Sequence, residues 1–165
     1  MQYAKIVAND IANGEGICVS FFVQGCPHHC PGCFNPETWD FTGGQEYTKQ
    51  VKWDIIKAIS KNDIQRNFSV LGGEPLAIKN LPMTDEVITA VRTAFPNIKI
   101  YVWTGFTFEE LQSSSREEIK HILSLIDVLI DGRFIEEEKD LSLYLRGSKN
   151  QHIWRKKDGE WKQDE

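Results

Sequence analysis

The sequence predicts an α/β protein with a mostly parallel sheet and a C-terminal β-hairpin. Three observations predict it. Short apolar runs that read as buried strands alternate with amphipathic helical patterns, a rhythm that implies right-handed strand–helix–strand crossovers. Those runs empty into four short landmarks, Cys26 to Cys33, Gly72 to Pro75, Thr104-Gly105 and Asp131-Gly132. The length of 165 residues suits one core, read as a single domain over 1–165, and falls short of the about 250 residues of a complete eight-fold barrel.

The elements follow in order. Met1 to Gly16 ends in Asn13-Gly14-Glu15-Gly16 and reads as a turn-rich lead-in. Ile17 to Val23 shows no clean alternation, as expected of a strand covered on both faces. After a cysteine-rich loop and Thr42-Gly43-Gly44, a helix is predicted from about Lys49 to Lys61, with Val51, Ile55 and Ile59 on one face. Phe68 to Leu71 is the second strand, ending in Gly72-Gly73-Glu74-Pro75. The next helix is predicted to start at Thr84 as N-cap, with Asp85 and Glu86 in its first turn, and to stop at Pro96-Asn97.

Ile98 to Trp103 forms the third strand, and Thr107 to Glu110 and Ser115 to Glu118 both fit capping boxes. The second box opens a helix through Ile119, Ile122 and Leu123, and Asp127 to Ile130 is the fourth strand. Glu136 to Asp140 reads as a solvated charge run. Asp158-Gly159 is a two-residue turn between Trp154 and Trp161, which predicts a terminal hairpin covering a sheet edge.

Three of the four cysteines, Cys26, Cys30 and Cys33, fall in one loop after the first strand. Soft thiolate ligands favour zinc or an iron–sulfur cluster. A structural zinc site wants four closed ligands and an electron-transfer cluster usually four cysteines, yet Cys18 lies inside the strand and reads as a small core residue. Three thiolates on a four-iron cluster leave one iron open. The competing reading is a zinc-stabilised interaction module completed by His28, His29 or a distant histidine, although both histidines sit between thiols and otherwise read as loop surface. In an open α/β sheet ligands lie at the carboxyl ends of strands, so the four landmarks should face one site.

Composition narrows the classes. Net charge is −5, which argues against a nucleic-acid partner held by a basic face. No apolar stretch approaches the roughly 18 residues that span a membrane. The first ten residues lack a secretory pattern, so the cytoplasm, where thiols stay reduced, is the expected compartment.

The Cys26-x3-Cys30-x2-Cys33 loop resembles the cluster motif of radical S-adenosylmethionine enzymes, and Gly72-Gly73-Glu74-Pro75 on the next strand is similar to the motif with which they hold the methionine amino group. The resemblance implies a partial, open TIM-like βα barrel. It implies a 4Fe-4S cluster on Cys26, Cys30 and Cys33, and S-adenosylmethionine cleaved by one electron to methionine and a 5'-deoxyadenosyl radical. Glu74 would meet the amino group, Gly72 and Gly73 would offer backbone contacts, and Thr104 with Asp131 would serve the carboxylate or ribose. Many members carry an aromatic residue just before the third cysteine; here that position is Gly32, with Phe34 just after, so Gly32, Cys33 and Phe34 are the cofactor-binding positions carried over.

Within that superfamily, Cys26-x-His28-x-Cys30-x-Gly32-Cys33-Phe34-Asn35, Val102-Trp103-Thr104-Gly105, Asp131-Gly132-Arg133-Phe134 and Arg146-Gly147-Ser148-x-Asn150-Gln151 resemble the small activating proteins of class III anaerobic ribonucleoside-triphosphate reductases. That likeness implies abstraction of hydrogen from a glycine loop of the large reductase subunit, with a reduced flavodoxin-type electron donor. Arg133, Arg146 and Asn150 would either contact the reductase or brace the terminal segment. The alternatives are a small radical enzyme acting on a metabolite, like the deazaguanine-forming synthases, and an activase of another glycyl-radical enzyme such as pyruvate formate-lyase.

Overall fold

A computed structural model describes residues 1–164. The chain runs β1 (Gln2–Asp10), β2 (Cys18–Val23), β3 (Gln45–Glu46), α1 (Lys49–Ile59), β4 (Asn67–Gly72), α2 (Leu81–Ala94), β5 (Ile100–Trp103), α3 (Phe108–Gln112), α4 (Glu117–Leu125), β6 (Val128–Asp131), β7 (His152–Lys157) and β8 (Glu160–Gln163). All eight strands join one open sheet in the order β3-β1-β2-β4-β5-β6-β7-β8. The central four, β2, β4, β5 and β6, are parallel and neighbours in chain order, and the flanking pairs are antiparallel.

Sequential order with right-handed crossovers puts every helix on one face. The burial pattern agrees. Phe21, Phe68, Val70, Ile100, Val102 and Leu129 point into the main core with Ile55, Ile88 and Ile122 of the helices. Tyr101, Val128, Ile130 and Ile153 form a smaller cluster on the other face. The carboxyl ends of four strands are thereby left to the connecting loops, with only the short α3 beside the end of β6.

Helix α1 ends two residues earlier than expected, at Ile59, β5 starts two residues later, at Ile100, and four further elements differ from the sequence expectation. The lead-in contains β1, an antiparallel strand covered on its outer side only by the two-residue β3; its residues are mostly half-buried and carry no alternating pattern. Helix α2 begins at Leu81, not Thr84: Asn80 is its N-cap, a proline stands in its first turn, and Thr84 is buried with its hydroxyl donating to Pro75 O at 2.7 Å. Arg116 rather than Ser115 precedes α4, with no side-chain cap. The fourth strand is shifted by one residue: Ile100 N donates to the Asp127 carboxylate, which also pairs with Arg92, in place of a backbone carbonyl.

Other expectations hold. Thr107 caps α3 by accepting from Glu110 N. The hairpin lies antiparallel on the β6 edge, with Trp154 stacked on Phe108 at 4.0 Å. Cys18 is fully buried. Among the described residues no helix is long and apolar enough to cross a membrane.

At the amino-end pole of the parallel strands, Glu15 gathers distant segments. Its carboxylate accepts from Tyr101 Oη at 2.8 Å, Tyr144 Oη at 2.9 Å and both terminal nitrogens of Arg155. The Arg155 bonds hold the Glu15 carboxyl down from the ordinary 4.5 to about 2, against the opposing effect of burial. A depressed native value stabilises the fold above the unfolded value and is lost as pH falls through the native one. The thermal midpoint of the metal-free protein should therefore drop between pH 4.5 and about 2, and Glu15→Gln should flatten that drop while lowering the neutral-pH midpoint.

Candidate metal centre

The cysteine loop leaves β2 through Gly25 and is pinned at both feet by backbone bonds, Gly25 N to Thr38 O and Cys26 N to Trp39 O. Between its thiols the chain turns tightly, with Cys33 N donating to Cys30 O and Gly32 at a φ of 75°. Cys26 is buried, while Cys30 and Cys33 are half-buried. Burial pushes the Cys26 thiol up to about 11 and raises Cys30, so both are neutral thiols until a metal replaces the proton. Backbone N–H groups of His28 and His29 face Cys26, and that of Phe134 faces Cys30; these donors favour the thiolate form.

The four landmarks do meet. A cleft of about 150 Å³ is lined by Cys26, Cys30 and Cys33, by Gly72, Gly73 and Glu74, by Thr104 and Gly105, and by Gly132. It opens on one side to a cavity of about 540 Å³ floored by Phe22, Leu71 and Trp103, and on the other to one of about 400 Å³ that includes Asp131. Phe134 borders all three.

The polar residues expected around a ligand are already engaged with one another. Glu74 is 1% exposed. Its Oε1 accepts from His28 Nε2 at 2.7 Å and Gly105 N at 2.7 Å, and its Oε2 from Thr104 Oγ1 at 2.8 Å and Leu76 N at 2.9 Å. Thr104 also accepts from Phe106 N. Asp131 accepts from Phe108 N with one oxygen and from His152 N with the other, which fixes α3 and the start of β7. The two glycines answer to a backbone constraint: a Cβ on Gly72, whose φ is 102°, would lie 2.8 Å from Val23 O, and one on Gly73 would lie 2.5 Å from Gly25 O. This motif therefore seals β4 against the root of the cysteine loop.

Gly32 is exposed and lies outside the lining of the cleft, facing Glu136, and Phe34 borders the neighbouring cavity instead, half exposed with its ring 4.9 Å from that of Phe134. Arg133, Arg146 and Asn150 all make bracing contacts, to His28 Nδ1, Gln151 O and Arg133 O respectively. The expectation that the histidine pair is loop surface is corrected for His28, whose side chain is 5% exposed. His29 stays exposed but stacks on Trp39 at 4.6 Å. Sequence reasoning missed two further organisers, His28 itself and Asn80, whose amide donates to Gly25 O and Glu74 O. Asn80 was detectable from Asn-Leu-Pro as a helix start.

The donor set fits a cluster. Three soft thiolates stand on one loop, with backbone N–H groups directed at the sulfurs. Among the described residues no three His, Cys, Asp or Glu side chains come close enough to hold one metal ion; thiolates that each take a separate iron need a wider spacing.

A family model described as a 4Fe-4S single cluster domain matches residues 12–154. Fold and loop together thus define an iron–sulfur α/β protein of the single-cluster class. Curated relatives narrow this. The anaerobic ribonucleoside-triphosphate reductase-activating protein of Escherichia coli (strain K12) is 39% identical over 93% of this chain and 97% of its own. The protein of the same name from Vibrio cholerae is 38% identical over 94% and 98%, and that from Enterobacteria phage T4 35% identical over 99% and 100%. The chain belongs to the family of anaerobic ribonucleoside-triphosphate reductase-activating proteins.

Proposed function

We propose that this chain, acting as one domain over residues 1–165, is a radical S-adenosylmethionine activase that installs a glycyl radical on the large subunit of an anaerobic ribonucleoside-triphosphate reductase. The observation that carries it is the meeting of Cys26, Cys30 and Cys33 with Gly72, Gly73 and Glu74 in one cleft. Its open sheet, singly wound around the parallel strands, is read as a partial TIM-like barrel. Cys26, Cys30 and Cys33 would hold a 4Fe-4S cluster, and with S-adenosylmethionine bound that group supplies the one-electron cleavage that yields a 5'-deoxyadenosyl radical.

The chain's own residues then bind and orient. Gly72 and Gly73 bring the β4 backbone to the cleft, and Glu74 sets a buried negative group behind it. Thr104 and Asp131 fix the ends of β5 and β6 that frame the ligand. Cys33 lines the cleft, and Gly32 beside it and Phe34 at the neighbouring cavity would border the bound ligand, with Phe34 and Phe134 as apolar surface for the adenine. Phe22, Leu71 and Trp103 give the neighbouring cavity an apolar floor beneath a polar rim of Lys5, Asn35, Arg146 and Gln151. The sheet is open on that side, so a glycine loop of a large partner can enter. A reduced flavodoxin-type protein as donor and a cytoplasmic setting belong to the same reading.

The test is anaerobic mixing of the reconstituted protein, reductant, S-adenosylmethionine and an anaerobic reductase. A glycyl doublet in the paramagnetic resonance spectrum is the expected result. Deoxyadenosine without the doublet assigns another substrate, a metabolite or a different glycyl-radical enzyme.

A further inference from the structure

We propose that His28 is a positioning residue, which sets the arc of the loop between Cys26 and Cys30 against the ends of β4, β5 and β6. Arg133 Nε donates to His28 Nδ1 at 3.0 Å. An arginine nitrogen only donates, so Nδ1 is the acceptor and the ring proton sits on Nε2. From there it donates to Glu74 Oε1 at 2.7 Å.

The ring is also wedged. Its centroid lies 4.8 Å from that of Phe106, edge to face, and a Cβ on Gly105 would come within 2.5 Å of its Cδ2. A side chain from the cysteine loop is thus locked by Glu74 after β4, Gly105 and Phe106 after β5, and Arg133 after β6. Between Cys26 and Cys30 the other side-chain anchor is the stacking of His29 on Trp39. Fixing two ligand positions against the strand ends is what keeps a bound cluster and a ligand in the cleft at a constant separation.

The inference has one arm independent of the proposed function and one that rests on it. In the metal-free protein, amide hydrogen exchange over residues 26–33 should speed up about tenfold in His28→Ala and return toward wild type in His28→Gln, whose amide nitrogen reaches the same donor position. Gly105→Ala should mimic His28→Ala by expelling the ring, and the double variant should be no worse than either. In reconstituted proteins matched for iron and sulfide, His28→Ala should weaken S-adenosylmethionine binding at least about tenfold, a loss typical of supporting contacts around a metal site, and His28→Gln should recover most of it. Unchanged exchange in His28→Ala overturns the assignment, as does a glutamine that rescues nothing. A wild-type protein that binds no S-adenosylmethionine removes the radical reading and leaves the exchange result to decide on His28.

Discussion

Alanine at any one of Cys26, Cys30 or Cys33 is expected to abolish glycyl-radical formation, a loss greater than the about 10–100-fold that removing a supporting contact around a metal costs. The three thiols are not interchangeable with other donors: no fourth cysteine reaches the cleft, because Cys18 is fully buried at the start of β2 and its thiol faces Glu15 O at 3.6 Å. Cys18→Ala should therefore load iron and sulfide as the wild type does and cost about 1 kcal/mol of stability, the common penalty for a small core truncation. Iron and acid-labile sulfide per chain, measured beside doublet intensity, check both halves. A Cys30→Ala protein with full activity would remove the ligand assignment.

Glu74→Gln should be the most damaging substitution outside the cysteines. The wild-type carboxylate satisfies four donors at once, from Leu76 N, Thr104 Oγ1, Gly105 N and His28 Nε2. An amide has one oxygen, so its NH₂ group must confront at least one of these N–H donors, even if the Thr104 hydroxyl turns to accept, at a side chain only 1% exposed. Leaving buried donors unsatisfied costs about 1–3 kcal/mol each. A net loss of about 3 kcal/mol corresponds to roughly 6–12 °C in the thermal midpoint for a chain of this size. S-adenosylmethionine binding should fall with it, because His28 and the loop it carries lose their anchor. A variant that melts with the wild type and binds normally would show that Glu74 does not join the strand ends.

Much of this was legible in the sequence. Strand, helix, strand, helix could be read from Val51, Ile55 and Ile59 and from the Ile98–Trp103 run, and the hairpin from Asp158-Gly159, because those signals are local. The cleft was legible for a topological reason: each landmark follows a parallel strand, and parallel strands deliver their carboxyl ends to one side. Strand β1 was not legible, since a strand half-buried on both faces, with only the short β3 beyond it, carries no period.

The side-chain partners were the other blind spot. Residues 28 and 74 are far apart in sequence, and nothing local marks a histidine between two cysteines as the donor to a distant glutamate. For the same reason Glu74, Thr104 and Asp131 read as three free ligand contacts. In the fold they are buried groups that first hold the framework together.

The account stands on three thiolates serving four irons, and the low-temperature paramagnetic resonance spectrum of the anaerobically reconstituted, reduced protein tests it most directly. Recorded with and without S-adenosylmethionine, the spectrum should be that of a reduced 4Fe-4S cluster and should change shape and g values when the ligand is added. An identical spectrum in both samples, from a protein with full iron and sulfide, would contradict it.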